Sequence, residues 1–257
     1  MLLDLDGVLY VGDTPVPGAQ DAVEELRRRG LALRFVTNTT ARSHAATIDK
    51  LHDLGFAVGD DEVVTPAMLA VRHCLDRKHR RVALIMADEV RRDFGGLQAV
   101  DERADAVIIG DLGQGFAYEP LNHAFRLVMD GAELVALQKN RFWMTPDGLS
   151  LDAGAFVAAL EYATGRDAVV VGKPAPRFFA AVLNGLGVAA GDAVMVGDDI
   201  ETDIGGALRA GLRAVLVKTG KYREDQVTAS GIEATAVVAS VADVPSLLTR
   251  IDDDRSR

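Results

Sequence analysis

The stretch MLLDLDGVLY (residues 1–10) places two aspartates, Asp4 and Asp6, at the end of an apolar run, with Gly7 directly behind them. Side chains two positions apart in a strand point to the same side, so both carboxylates are predicted to face one pocket at the carboxyl end of a first strand. Two carboxylates this close repel each other, and a hard divalent cation, Mg²⁺ above all, would compensate for the repulsion. The competing interpretation is a β-turn with solvated aspartates, because Asp-Gly is a common turn pair.

Short apolar runs recur along the rest of the chain and predict further strands. Each is bounded by turn formers, and strands buried on both faces belong to parallel sheets covered by helices. Amphipathic stretches at 17–30, 176–187 and 201–212 predict helices between them. This alternation predicts an α/β fold with a doubly wound parallel sheet. The predicted strands lie at 31–37, 81–87, 106–110, 133–137, 168–172, 193–197 and 213–217.

The strand predicted at 31–37 ends in Thr37 and Asn38, just before a helical stretch. A hydroxyl, an amide and free backbone N–H groups at a helix start form an anion cradle, so the pair is a candidate phosphate site. The alternative is simple capping of the helix by Thr39, Thr40 or Ser43, and capping is favoured when this stretch is taken alone.

Lys173 follows a buried strand and a glycine in VVVGKPAP (169–176). A lone lysine is usually a solvated surface charge. This one leaves a strand at the edge of the sheet where ligands bind. There its compact ammonium could neutralise both a phosphoryl oxygen and a nucleophile.

Three aspartates follow the strand in VMVGDDIETD (194–203). Asp198 comes first off the strand and is the best-placed third acidic ligand. Asp203 is predicted to lie in the first turn of the next helix, where an acid suits the positive end of the helix dipole. We interpret it as steadying Asp198, Lys173 or a bound water from behind the site. Asp199 is predicted to be exposed.

Composition narrows the classes of partner and compartment. The formal net charge of −10 argues against a nucleic-acid or anionic-membrane partner, whereas a few local cations or a metal still allow a phosphorylated small molecule. The single cysteine, Cys74, cannot form an intramolecular disulfide and is predicted to pack in a core. No apolar run approaches the ~20 residues of a membrane span, and no signal peptide is visible. We therefore expect a cytoplasmic protein.

The four acidic and polar stretches all lie outside the middle of the chain. This distribution predicts a discontinuous catalytic core, residues 1–67 plus 167–257, with an inserted α/β domain at 68–166. The insertion contains a hairpin-like passage, FWMTPDGLSL, with its turn at 146–148, and the chain ends in a predicted frayed tail at 251–257.

Together the four stretches resemble motifs one to four of the haloacid dehalogenase superfamily of phosphohydrolases. The matching segments are DLDG (4–7), TNT (37–39), GKP (172–174) and GDDIETD (197–203). The large insertion is similar to the type-2 cap of subfamily IIA, and the likeness covers nearly the whole chain. The resemblance implies a Rossmann-like core with a cap domain.

The resemblance also implies a mechanism. Asp4 would attack phosphorus and form an aspartyl-phosphate, and Asp6 would protonate the leaving alcohol and later deprotonate the attacking water. Mg²⁺ would be held by the Asp4 carboxylate, the Asp6 backbone carbonyl and Asp198.

The same resemblance assigns phosphate binding to Thr37, the Asn38 amide and Lys173, which would stabilise the equatorial oxygens. The cap would close over the site, exclude water and read the leaving group, that is, contact it and so select the substrate. Relatives often form homodimers through the cap. For Trp143, packing in the hairpin core is the favoured alternative. The candidate readers of the leaving group are Asp88, Gln138, Asn140, Arg141 and Trp143.

Two other functions remain open beside a phosphatase of a small phosphorylated metabolite. A phosphotransferase such as a phosphomutase shares the first motif, although the place of the insertion counts against it. A non-catalytic metabolite-binding protein is the second alternative, and we expect such a protein to have lost Asp4, Asp6 or Lys173, all of which are present.

Overall fold

The computed structural model describes residues 1–145 and 148–255. Contacts between backbone positions divide the chain into two compact units. The first comprises Met1–Thr37, Ile48–Val64 and Lys173–Arg257, and the second comprises Asn38–Thr47 and Thr65–Gly172. The domain boundaries predicted from the sequence stay a prediction.

The strands are short, in keeping with the short apolar runs of the sequence. In chain order they are β1 Leu2–Asp4, β2 Tyr10–Val11, β3 Thr14–Pro15, β4 Arg34–Val36, β5 Val63–Val64, β6 Arg81–Ile85, β7 Gln98–Ala99, β8 Ala106–Ile109, β9 Glu133–Ala136, β10 Phe142–Thr145, β11 Gly148–Leu151, β12 Val169–Val170, β13 Val194–Gly197, β14 Arg213–Val217 and β15 Ala236–Val238.

Helices fill most of the segments between the strands. They are α1 Ala19–Arg28, α2 His44–Asp53, α3 Pro66–Asp76, α4 Asp88–Arg91, α5 Tyr118–Met129, α6 Ala153–Thr164, α7 Pro176–Leu186, α8 Gly206–Arg209, α9 Glu224–Ser230 and α10 Val244–Arg255. A π-helical segment, Ile200–Gly205, leads into α8.

The first unit is built on a six-stranded parallel sheet in the order β15-β14-β13-β1-β4-β5. Strand β1 lies in its interior, with Leu3 opposite Val196 of β13 and Phe35 of β4. These three side chains are fully buried in one core cluster, which also includes the inner face of α1. Because all six strands are parallel, their carboxyl ends share one edge, and the residues that follow β1 and β13 meet there.

The second unit has its own parallel sheet, in the order β12-β9-β8-β6-β7. The apolar side chains of its central strands are divided between two buried clusters, one on each face of the sheet. Strands β10 and β11 pair antiparallel as the predicted hairpin, with Trp143 opposite Ser150. Residues Pro146 and Asp147 of its predicted turn lie outside the described residues.

The predicted α/β fold class is confirmed, and each of the seven predicted strands is present. The helix predicted at 201–212 is instead the π-helical segment followed by one short turn of α-helix. At the C-terminus, α10 continues to Arg255, so most of the predicted tail is helical, and Ser256 and Arg257 lie outside the described residues. Within the described ranges, we find no helix with both the length and the apolar character that a bilayer span requires.

Candidate active site

A buried ion-pair network lies at the carboxyl end of β1. The Lys173 ammonium donates to Asp4 Oδ1 at 2.5 Å and to Asp203 Oδ1 at 2.7 Å. All three residues are at most 7% exposed. Desolvation lowers the pKa of Lys173, but the carboxylates of Asp203 and Asp4 outweigh it and raise this pKa above its ordinary range. Lys173 therefore stays cationic and orients one oxygen of Asp4.

Asp198 completes an acidic cluster with Asp4 and Asp203, because one carboxylate oxygen of each lies within 4.8 Å of the others. Burial, together with the negative charges of Asp4 and Asp203, raises the pKa of Asp198 to about 8. Burial and the charge of Asp4 likewise raise the pKa of Asp203. The protein surroundings therefore do not compensate the negative charge that the cluster would carry with all three carboxylates ionised.

This charge balance fits a divalent cation. Three ionised carboxylates and the Lys173 ammonium leave a formal charge of −2 in a buried space. Carboxylate oxygens are the ligands that Mg²⁺ and Ca²⁺ prefer. The donor set is therefore suited to a hard divalent ion.

Glycines make room for the carboxylates. A Cβ atom on Gly7 would lie 1.9 Å from Asp198 Oδ2, and one on Gly197 would lie 2.3 Å from the Cβ of Asp203. Gly7 also has φ = 92°, a conformation that side chains rarely adopt. The sequence argument that Gly7 keeps a Cβ out of the pocket agrees with this geometry.

Asp6 differs from Asp4 in its surroundings. Strand β1 ends at Asp4, so the rule that alternate strand residues share a face does not extend to Asp6, which is exposed. The next residues form a tight turn in which the Gly7 N–H donates to the Tyr10 carbonyl at 2.7 Å. Strand alternation therefore does not place Asp6, and the prediction that Asp6 faces the same pocket as Asp4 stays a prediction.

Thr37 and Asn38 follow β4, and neither lies at the start of a helix. Thr37 is buried in the first unit, and its backbone N–H donates to the Val64 carbonyl. Helix α2 begins at His44, so the expected cradle at a helix N-terminus is not formed by this pair. Ser43 Oγ accepts from the Ala46 N–H, so Ser43 performs the capping that was the alternative interpretation.

Asp199 is half-buried and caps the π-helical segment, contrary to the prediction that it is exposed. Its Oδ1 accepts from the N–H groups of Glu201 and Thr202 at 3.0 and 2.9 Å. Its own N–H donates to Asp203 Oδ2 at 3.2 Å. Asp203 lies in this π-helical segment and not in a first α-helical turn, and its Oδ1 accepts from the Lys173 ammonium.

The loop after β14 contacts the site at two points that the sequence analysis missed. The Lys221 N–H donates to Asp198 Oδ2 at 2.6 Å, and Thr219 Oγ1 donates to the Gly7 carbonyl. A Cβ on Gly220 would lie 2.1 Å from Asp198 Oδ2. Thr219, Gly220 and Lys221 also follow a buried strand, and that position was the one available signal.

In the second unit, the loop after β9 contains a buried side chain, Gln138, with two hydrogen-bond partners within the same unit. Gln138 is buried, donates to Asp152 Oδ1 at 2.5 Å and accepts from the Asn140 N–H. These two bonds hold the conformation of the loop, and the role of Gln138 in contacting the leaving group stays a prediction. Asp88 and Arg141 are exposed.

The burial predicted from the sequence is wrong for Trp143 and correct for Cys74. Trp143 is 49% exposed, so the favoured interpretation that it packs in the hairpin core is wrong. Cys74 is buried in a core cluster, as predicted. Burial and nearby carboxylates raise the pKa of its thiol to about 11, which suits packing and not nucleophilic attack.

Two family models match the chain. One, described as haloacid dehalogenase-like hydrolase, matches residues 1–98. The other, described as HAD-hydrolase-like, matches residues 170–244. The four motif segments lie within these two ranges.

Individual relatives cover most of the chain. The haloacid dehalogenase-like hydrolase domain-containing protein 2 of Bos taurus is 45% identical over 230 residues, 88% of each chain. The structure of p-nitrophenyl phosphatase from Archaeoglobus fulgidus has a TM-score of 0.90 and 28% identity, covering 96% of this chain and 97% of that one. Glycerol phosphate phosphatase from Mycobacterium tuberculosis, solved in complex with magnesium, has a TM-score of 0.81 and 32% identity, covering 93% of this chain and 74% of that one.

Proposed function

Because the chain belongs to the haloacid dehalogenase-like hydrolases and is a phosphatase, we propose that it hydrolyses phosphate monoesters of a small metabolite through a phosphorylated Asp4, with Mg²⁺ as cofactor. The observation that carries the proposal is the buried contact of Lys173 with Asp4, within an acidic cluster that includes Asp198. A carboxylate whose one oxygen is oriented by a lysine ammonium can attack phosphorus with its other oxygen.

In the proposed reaction, the free oxygen of Asp4 attacks phosphorus in line and the bond to the ester oxygen breaks. Asp6 gives its proton to the departing alcohol. Asp6 then takes a proton from a water, and the resulting hydroxide attacks the phosphorus of the aspartyl-phosphate. Inorganic phosphate leaves, and Asp4 is regenerated as a carboxylate.

The other proposed roles concern charge. Thr37, Asn38 and Lys173 would bind the equatorial phosphoryl oxygens, where negative charge spreads in the transition state. The Asp4 carboxylate, the Asp6 backbone carbonyl and Asp198 would hold Mg²⁺. When bound, Mg²⁺ supplies the positive charge that lets an anionic nucleophile meet an anionic phosphate.

We further propose that residues 68–166, which lie within the second unit, form the cap domain and that the protein forms a homodimer through it. The hairpin of β10 and β11 supports this proposal, because it exposes large apolar side chains in Phe142, Trp143 and Leu151. Analytical ultracentrifugation tests it. We expect the wild-type protein to sediment as a dimer and Trp143→Ser to sediment as a monomer. A monomeric wild-type protein would contradict the proposed homodimer.

A phosphate-release screen over phosphorylated metabolites, with Mg²⁺ or with EDTA, tests the activity. We expect release that requires Mg²⁺ and is lost in Asp4→Asn, whereas the control Asp192→Asn, an exposed aspartate before β13, keeps it. Isomerised sugar phosphate without phosphate release would instead indicate a mutase. Binding of a phosphometabolite without turnover would indicate a non-catalytic protein.

A further inference from the structure

The loop that follows β14 concentrates positive charge beside the acidic cluster. Residues 218–223 contain Lys218, Lys221 and Arg223, on a chain whose formal net charge is −10. All three residues are exposed. No carboxylate of the described residues forms an ion pair with any of them. Within the described residues, the charges of these three side chains are therefore not neutralised by an ion pair.

The backbone of this loop is held firmly against the site. The 2.6 Å hydrogen bond from the Lys221 N–H to Asp198 and the bond from Thr219 to the Gly7 carbonyl anchor it at two points. A Cβ on Gly220 would also lie 2.4 Å from Gly7 Cα, so the two glycine backbones pack directly together. The loop therefore cannot carry its cations away from the acidic cluster without breaking these contacts.

Two of the side chains are also held locally. The Lys218 ammonium lies 5.7 Å from the centroid of the Tyr222 ring. The Arg223 guanidinium donates to the carbonyls of Gly220 and Tyr222 at 3.4 and 2.7 Å. These neutral partners fix the two groups without cancelling their charge.

Lys221 lies within the electrostatic field of the site. Desolvation lowers the pKa of its ammonium, but the carboxylates of Asp198, Asp199, Asp4 and Asp203 outweigh this effect and raise the pKa. The backbone N–H of the same residue bonds to Asp198 Oδ2, so Lys221 adjoins the acidic cluster.

We propose that Lys218, Lys221 and Arg223 bind a second anionic group of the substrate, so that the preferred substrate is a phosphate ester that also carries a carboxylate or a further phosphate group. The inference rests on the proposed phosphatase function and specifies its substrate class. Ammonium and guanidinium groups bind carboxylate and phosphate oxygens by charge-assisted hydrogen bonds. Because these cations are exposed, each contributes modestly and all three are needed for a clear preference.

The test compares phenyl phosphate with 3- and 4-carboxyphenyl phosphate, which add one carboxylate to the same leaving group. The measured quantity is the ratio of kcat/KM for the carboxylated ester to kcat/KM for phenyl phosphate, because an effect on folding or on the chemical step cancels in this ratio. We expect the ratio for the better carboxylated ester to fall about tenfold in Lys218→Gln/Lys221→Gln/Arg223→Gln. Raising the salt concentration should lower the wild-type ratio and leave that of the triple variant unchanged.

Single substitutions keep the test valid if the triple variant does not fold. Lys221→Glu places a negative charge on the exposed loop and should bring the ratio below the value for Lys221→Gln. Arg213→Gln is the matched control, because it removes a cation from the opposite end of β14 and should leave the ratio at its wild-type value.

If the triple variant and Lys221→Glu both keep the wild-type ratio, the inference is overturned, whereas the proposed phosphatase function is unaffected. Failure of the wild-type protein to release phosphate from any of these esters would instead count against the proposed function.

Discussion

The acidic cluster around Lys173 in the first unit is buried and contains three carboxylates and one ammonium. The cluster around Glu133 in the second unit differs, because it is partly exposed and contains one carboxylate and three basic side chains. The pKa of Asp198 is raised by burial and by its acidic neighbours. Desolvation raises the pKa of Glu133 as well, but its basic partners outweigh it and lower that pKa. These partners are His73, Arg77 and His79.

This difference in charge compensation indicates that the Glu133 cluster is a structural ion-pair cluster and that the Lys173 cluster is a ligand-binding site. Glu133 has its charge compensated by protein groups, so it contributes to stability without any further partner. Ionising all three carboxylates around Lys173 would leave an excess of buried negative charge, which costs folding free energy and raises the pKa of Asp198 and Asp203. Such an arrangement is explained by a cation that binds among the carboxylates during function.

The largest expected effect comes from Lys173→Met, which removes the cation from the buried cluster. We expect phosphatase activity to fall by at least about 10³-fold and the free energy of unfolding of the metal-free protein to fall by about 3 kcal/mol. Arg77→Met is the matched variant in the other cluster and should change neither activity nor stability appreciably. Steady-state kinetics and urea unfolding measure both. Equal losses in the two variants would contradict the distinction between the clusters.

Gly7→Ala tests the close approach of the backbone to Asp198. A Cβ at 1.9 Å from a carboxylate oxygen must displace Asp198 or the turn, so we expect kcat to fall about 10²-fold. Gly12→Ala is the control, because Gly12 also has positive φ but no atom within 4 Å of its Cβ position, and it should cost about 1 kcal/mol of stability with little loss of kcat. Similar kcat values for the two variants would show that steric conflict at Asp198 is unimportant.

The pH dependence of stability should have opposite signs in the two clusters. Between the unfolded pKa of an aspartate, about 3.9, and the folded pKa of Asp198, about 8, the folded chain binds more protons than the unfolded chain. The contribution of Asp198 to stability therefore decreases as the pH rises through this window. We expect the Tm in EDTA to be higher at pH 5.5 than at pH 8, and Mg²⁺ to raise the Tm more at pH 8. Asp198→Asn should weaken both trends, and a Tm in EDTA that rises with pH equally in both proteins would refute this assignment.

Glu133→Gln should give the smallest effect, about 1 kcal/mol of stability at pH 7 with activity unchanged. Because the folded pKa of Glu133 lies below its unfolded value, its contribution is present above the unfolded pKa and is lost as the pH falls through the folded pKa. The difference in urea unfolding between wild type and variant should therefore shrink in acid. A difference that grows in acid would mean that Glu133 does not gain its stability from its basic partners.

Much of this organisation is predictable from local sequence. The buried strands β1 and β13 are short apolar runs that end in acids, and Lys173 follows a similar run, so Asp4, Lys173 and Asp198 could be assigned to strand ends before any contact was known. The structure does bring these three side chains together with Asp203. Local pattern was insufficient for Asp6, because the strand ends two residues earlier than alternation required.

The sequence by itself determined the alternation of strands and helices and the residues that end the strands, because hydrophobic pattern and turn chemistry act over a few neighbouring positions. Tertiary structure alone decided that Lys173 bonds to Asp4, 169 positions away, and that Thr219 bonds to the Gly7 carbonyl, 212 positions away. It also decided that Trp143 stays half exposed and that Gln138 is buried and bonded to Asp152. Such contacts depend on which strand ends become neighbours in a sheet and on how much space their backbones leave, and neither property is encoded within a short stretch of chain.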